Sequence, residues 1–331
     1  MNSTNTLHRP TKTRRLVSAW ISPEEKVLKR IEEHADLFDQ IVFMCGSLAP
    51  DGKLESVWPI EKRREMAKAL KEMGISVLLD YGGRWSEEIK NSFESPKTLS
   101  SYVDNLIEDC NQVGADGLDI DIEDWPAISR NVYTDLIAGL SAELRKQNGL
   151  LSVCKFSLSR ESRRENGIGF MDPVLLAPYV DQFRCMTYDL YCPPSEFIGP
   201  TSTAPWGRET MQYMSSRVPC EKIVMGLPTY SVDWDMNDSS KSRQVNDCEW
   251  IDECEAKSTI GRGWCYFWDV GLIRYTDDEG HAHVLYVSDA RSTRSHLVTV
   301  DSLDLAGVSF WVLTGDEDPR IWDAVKNHFN R

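Results

Sequence analysis

A chain of 331 residues with 41% hydrophobic content can bury one large core, and nothing in it forces a division into two domains. Its formal net charge of -15 argues against surfaces for nucleic acid or anionic membrane, where phosphates attract Lys and Arg, and favours a neutral or cationic substrate. No stretch approaches the ~20 apolar residues of a membrane-spanning helix, and the polar segment 1–15 lacks the apolar centre of a signal peptide. The chain as written is therefore expected to be cytoplasmic, or secreted or organellar if a leader has been trimmed from it.

Short β-branched runs alternate with longer amphipathic stretches, the mark of βα units and a parallel sheet. After a flexible segment 1–15, the first strand is expected at 16–21 and a helix at 23–38. Strands at 40–45 and 76–79 flank a helix at 60–73, and a helix at 100–113 leads to the fourth strand at 117–122. A helix at 133–147, strands at 152–157 and 182–187, a helix at 206–217 and a seventh strand at 222–227 follow. From 228 to 287 the rhythm breaks. Aromatic alternating runs and the turn signal Thr276-Asp277-Asp278-Glu279-Gly280 predict a small antiparallel α+β insertion after the seventh strand, with a mobile polar loop at 237–246. This insertion is expected to wall one end of a cleft. A helix at 288–300 and an eighth strand at 306–312 complete the count. The pattern is that of a (β/α)8 TIM barrel built from 16–227 and 288–331, with its active site at the C-terminal ends of the strands.

The nine cysteines form no CxxC pair, and Cys45, Cys154 and Cys185 sit in apolar runs, so buried free thiols are expected rather than disulfides. The six histidines lie far from any cysteine cluster with ligand spacing, and no metal or other cofactor is expected. His281 and His283 read as isolated surface histidines.

The densest chemistry runs from Asp116 to Trp125. On a strand side chains alternate faces, so Asp119, Asp121 and Glu123 share one side while Leu118, Ile120 and Ile122 share the other. In a barrel the apolar side meets the helices, so the acids point inward, about 6.5 to 7 Å apart along the strand. Like charges buried this close are costly, and at least one acid must hold a proton at neutral pH, as a general acid requires. Glu123, where the strand opens into its loop, is placed to reach substrate, while Asp121 and Asp119 lie progressively deeper. Two other readings compete. A solvated acidic edge conflicts with the strict interleaving of apolar residues. A divalent-cation site would need further ligands on other strand ends, where Asp189 is the one clear candidate.

The segment from Asp116 to Glu123 matches in full the DGxDxDxE signature of glycoside hydrolase family 18, the chitinase-like family, and the chain resembles that family from 16 to 329. Met186, Thr187, Tyr188 and Asp189 look like its MxYD motif, and Trp311 resembles its floor tryptophan. Tyr81, Gly82 and Gly83 are similar to its SxGG segment, with Asp80 and Tyr81 departing from the commoner residues. Segments 204–206, 218–223, 226–230 and 316–322 look closest to the short branch of spore-cortex-lytic N-acetylglucosaminidases and di-N-acetylchitobiases. Asp119 stands where spore members often carry Asn and leans toward the chitinolytic pattern.

The resemblance implies substrate-assisted cleavage beside N-acetylglucosamine, with retention. Glu123 would be the acid and then the base, and Asp121 would orient the sugar's acetamido group. Asp119 would share a proton with Asp121, and Tyr188 would donate to the acetamide oxygen. Trp311, Asp189, Met186, Tyr230, Trp206 and Tyr81 would bind substrate, with Trp85, Trp125 and Trp234 as further candidate platforms; Arg84 and Arg291 stay outside the set. The implied partner is a chitin-type or peptidoglycan-type glycan, or secondarily an N-glycan core, cleaved by a monomer that binds neither nucleic acid nor membrane. The alternatives are a catalytically inactive lectin of the same fold and a metal-dependent hydrolase.

Overall fold

The computed structural model describes residues 14–22, 24–83, 87–123, 130–157 and 170–331. Its strands are β1 (Leu16–Ile21), β2 (Gln40–Leu48), β3 (Leu54–Ser56), β4 (Ser76–Gly83), β5 (Gly117–Ile122), β6 (Leu150–Phe156), β7 (Gln182–Met186), β8 (Ile223–Pro228), β9 (Ser231–Asp235), β10 (Arg243–Val245), β11 (Gly263–Cys265), β12 (Val270–Thr276), β13 (Ala282–Val287) and β14 (Gly307–Leu313). The helices are α1 (Glu25–Glu33), α2 (Ile60–Glu72), α3 (Glu87–Glu94), α4 (Pro96–Val113), α5 (Arg130–Lys146), α6 (Pro173–Leu176), α7 (Ala204–Ser215), α8 (Cys248–Lys257), α9 (Ala290–Ser302) and α10 (Arg320–Phe329). Strands β1, β2, β4, β5, β6, β7, β8 and β14 pair in parallel in that order, and β14 returns to β1, closing the expected (β/α)8 barrel.

Strand alternation sorts the side chains. Val17, Ala19 and Ile21 of β1, Leu118, Ile120 and Ile122 of β5, and Phe183 and Cys185 of β7 pack in the core shared with the helices. Trp20, Val42, Leu78, Cys154 and Met186 form a separate cluster inside the barrel. The helices obey their own period. In α4, Tyr102, Leu106, Cys110 and Val113 recur every three or four residues on the buried face. Its Ser95 cap accepts from the Thr98 amide, Pro96 opens the first turn, and Gly114 at φ 75° ends it in the left-handed region.

The insertion is a five-stranded antiparallel sheet in the order β10, β9, β13, β12, β11. Helix α8 packs against it through Ile251 and Cys254, over Val245, Ile273, Tyr275 and Leu285. Two expectations are corrected here. The polar segment 237–246 is not a free loop: it makes a 3-10 turn at Ser239–Lys241 and then β10, while an Asp235 carboxylate oxygen accepts from the Asn237 and Asp238 amides. Nor are the histidines isolated on the surface. His283 is 7% exposed, its Nδ1 lies 3.1 Å from both oxygens of Asp233, and its ring stacks on Tyr275 at 4.6 Å; His281 Nδ1 lies 2.8 Å from Asp235. Asp-x-Asp on β9 meets His281, just before β13, and His283, on β13, across the sheet, which their distance in sequence conceals.

Candidate active site

The barrel floor is built around one buried cation. Arg184, on the inward face of β7, is 0% exposed, and all five of its N–H donors are used. They go to Ser152 (3.0 Å), Ser18 (3.0 Å), Ser309 (2.7 Å), Gln182 (3.0 Å) and Gln40. Above it lies Asp119, also 0% exposed, with one oxygen 3.6 Å from Arg184 Nε. The other accepts from Trp20 Nε1 at 3.0 Å and from the Cys154 thiol at 3.4 Å. Burial, then the charges of Asp119 and Asp121, push the Cys154 thiol well up, so it stays a donor.

Asp121 and Glu123 follow on the same face and open into a cavity of about 1220 Å³. Burial first, then the neighbouring charges of Glu123 and Asp119, raise the Asp121 carboxyl well above its usual range, and it shares a hydrogen bond with Glu123. A further carboxyl joins them from the next strand. Asp80 is paired in register with Asp119, is 7% exposed and lines the same cavity. Burial, then the charges of Asp121, Asp119 and Glu123, push it well up. Gly82 stands opposite Asp121, and a Cβ there would meet the Asp121 carbonyl oxygen at 2.4 Å, so only glycine lets β4 and β5 approach so closely at the ladder.

Trp311, half-buried at the end of β14, lines the cavity and stacks on Tyr188 at 6.1 Å and 19°. Tyr188 is 8% exposed; burial, then the charges of Cys154, Asp121, Tyr230 and Glu123, keep its hydroxyl protonated. Met186 belongs to the cluster inside the barrel, next to these rings. Asp189 is exposed at the rim in a left-handed conformation (φ 57°), and its Oδ1 accepts from Tyr230 (2.5 Å) and Gln244 (2.9 Å).

Of three further expected substrate contacts, Tyr81 faces the helix layer, Tyr230 is buried beside Tyr188 and Trp206 is not in the described cavity lining. Tyr81 points out of the barrel: it is 0% exposed and its hydroxyl sits between Arg63 (3.1 Å) and Asp109 (2.8 Å) of the helix layer, because strand parity turns Asp80 and Gly82 inward. Tyr230 is 2% exposed, and its hydroxyl holds Asp189 rather than facing open space. Trp206 lies in the first turn of α7 and is not among the described residues that line the cavity. Trp234 is likewise buried, donating to the Gly199 carbonyl at 2.8 Å. Trp85, Trp125 and Arg84 lie outside the described residues. The described cavity wall also differs from the expected one. Among the described residues it is formed by β2 and the β2–β3 hairpin, including Ser47, Pro50, Glu55 and Val57, and not by the insertion.

A closed eight-stranded barrel whose fourth strand carries inward acids ending in a cavity-facing glutamate defines a barrel hydrolase of the glycosidase type. The chain belongs to glycosyl hydrolases family 18, whose model matches residues 15–316. It is similar to the glycosylase YvbX of Bacillus subtilis (strain 168), 24% identical over 288 residues that cover 85% of this chain and 80% of that protein. Among solved structures, the Bacillus cereus spore cortex-lytic enzyme SleL superposes with a TM-score of 0.87 at 18% identity, over 96% of this chain and 75% of its own. A chitinase from Chromobacterium violaceum ATCC 12472 does so with a TM-score of 0.84 at 20% identity, over 96% and 99%. At these identities the two superpositions establish the shared fold alone.

Proposed function

We propose that this glycoside hydrolase cleaves β-linked N-acetylglucosamine glycans with retention, using the substrate's own 2-acetamido group as nucleophile. The observation that carries the reading is the inward ladder, which brings Glu123 into the cavity beside Asp121 and Trp311. Glu123, protonated, gives its proton to the glycosidic oxygen as the bond to the anomeric carbon breaks. The acetamide oxygen bonds to that carbon, and the aglycone leaves with the proton. Asp121 accepts the acetamide N–H and offsets the positive charge that develops on the oxazolinium ring. Glu123, now a carboxylate, takes a proton from water, which attacks the anomeric carbon and reopens the ring with retained configuration.

The cavity favours uncharged chitooligosaccharide over anionic peptidoglycan. Its described lining holds Glu55, Asp80, Asp121 and Glu123 and neither Lys nor Arg. Carboxylates on a substrate would find acids in that lining and no cation to pair with.

The test is release of fluorophore from di- and tri-N-acetylchitosides by the wild type and by Glu123→Gln. The variant is expected to lose at least ~100-fold in kcat/KM, the lower range for removing a general acid. Equal rates for the two would remove Glu123 from the mechanism.

A further inference from the structure

Asp121 must be anionic to support the oxazolinium ring, yet burial favours its protonated form at rest. Its proton therefore needs a nearby acceptor. Asp119 is poorly suited, because its surroundings only donate. Trp20 Nε1 and the Cys154 thiol bond to one oxygen, and Arg184 faces the other at 3.6 Å. Protonating Asp119 would leave the buried guanidinium without its closest counter-charge among the described residues. Among the described residues one oxygen each of Asp80, Asp119 and Asp121 is buried without a hydrogen-bond partner. Asp80 differs from Asp119 in that Arg184 is the weakest of the charges acting on it rather than an ion-pair partner, and like Asp121 it lines the cavity. Gly82 interposes no side chain between them. Among the described residues Arg184 is the sole cation of the floor, so its charge matches one of the acids, Asp119, and leaves the others to share protons.

We propose that Asp80 is a positioning residue with which Asp121 shares a proton, in place of Asp119. The inference rests on the mechanism above. As substrate binds, the proton passes from the Asp121 carboxyl to the Asp80 carboxylate, so Asp121 becomes anionic while the charge of the pair is unchanged. Two carboxyls sharing one proton ionise in two widely separated steps, the second far above the ordinary carboxyl range. The other titratable groups facing the pair are Asp119 and Glu123 from β5 and its end, Cys154 from β6, Arg184 from β7, Tyr188 beyond β7 and Tyr133 from α5.

The experiment is a carboxyl-¹³C NMR titration of the full chain labelled in Asp and Glu, for wild type, Asp80→Asn, Asp80→Ser, Asp121→Asn and Asp119→Asn. The wild type is expected to show a carboxyl midpoint above about pH 6. That midpoint should vanish in Asp121→Asn and in either Asp80 variant, and persist in Asp119→Asn. Having two neutral replacements at Asp80 guards against one failing to fold. Survival of the high midpoint in a folded Asp80 variant, its loss in Asp119→Asn alone, or its absence from the wild type would each overturn the proposal. The NMR readout needs no turnover, so a wild type that cleaves no chitoside would refute the functional reading separately.

Discussion

Trp311 is held from below and beside, with the edge of Trp20 at 5.7 Å and the face of Tyr188 at 6.1 Å, and it turns its remaining surface to the cavity. A flat apolar face suits the C–H side of a pyranose ring, and it moves no proton. Trp311→Ala is therefore expected to raise KM about tenfold or more with a smaller change in kcat, in steady-state kinetics on a chitotrioside. A large fall in kcat with KM unchanged would place the ring in the chemical step instead. At this scale the sequence reveals what parity and motif can carry. Asp121, Glu123 and Trp311 follow from their strand positions, whereas Tyr81 stands one residue out of phase with the inward Asp80. Trp20, Cys154 and Arg184 were hidden because a single polar or bulky side chain on an apolar strand gains meaning only when the barrel closes around it.

Strand β6 carries a cost of its own. Lys155 follows Leu151 and Val153 on the face turned to the helices, is 1% exposed, and its Nζ has no hydrogen-bond partner among the described residues. Burial pushes its pKa from 10.5 down to about 8. Between those two values the unfolded chain binds more protons than the folded one, so stability rises with pH across that window, and the full penalty applies below about pH 8. Lys155→Met should stabilise the protein at pH 7 by on the order of 3 kcal/mol, at 1.36 kcal/mol per pH unit, with the gain fading as pH rises from about 8 to 10.5. Urea unfolding at pH 7 and pH 10.5 would check this, and a variant no more stable than wild type at pH 7 would contradict it. Elements escaped the sequence reading for identifiable reasons. Helix α8 offers only Ile251 and Cys254 as buried residues among charged neighbours, too few to show a period, and β3 has three residues, below the length at which alternation is visible.

On the scale of the whole molecule, the barrel was legible because eight parallel strands each bury an apolar outer face, and that repeats in the sequence at regular intervals. What lines the cavity was less so. The insertion is prominent in the sequence, yet the described wall belongs to the short β2–β3 hairpin. The closed sheet also gathers four acids from two strands over one arginine, an arrangement that no single segment displays. The central claim is that this ladder works with a nucleophile supplied by the sugar. The most direct measurement is kcat/KM for a series of aryl chitobiosides whose reacting acetamido group is acetyl, fluoroacetyl, difluoroacetyl or trifluoroacetyl. Each fluorine weakens the carbonyl oxygen, so the rate should fall steeply and steadily along the series; a flat series would contradict the account.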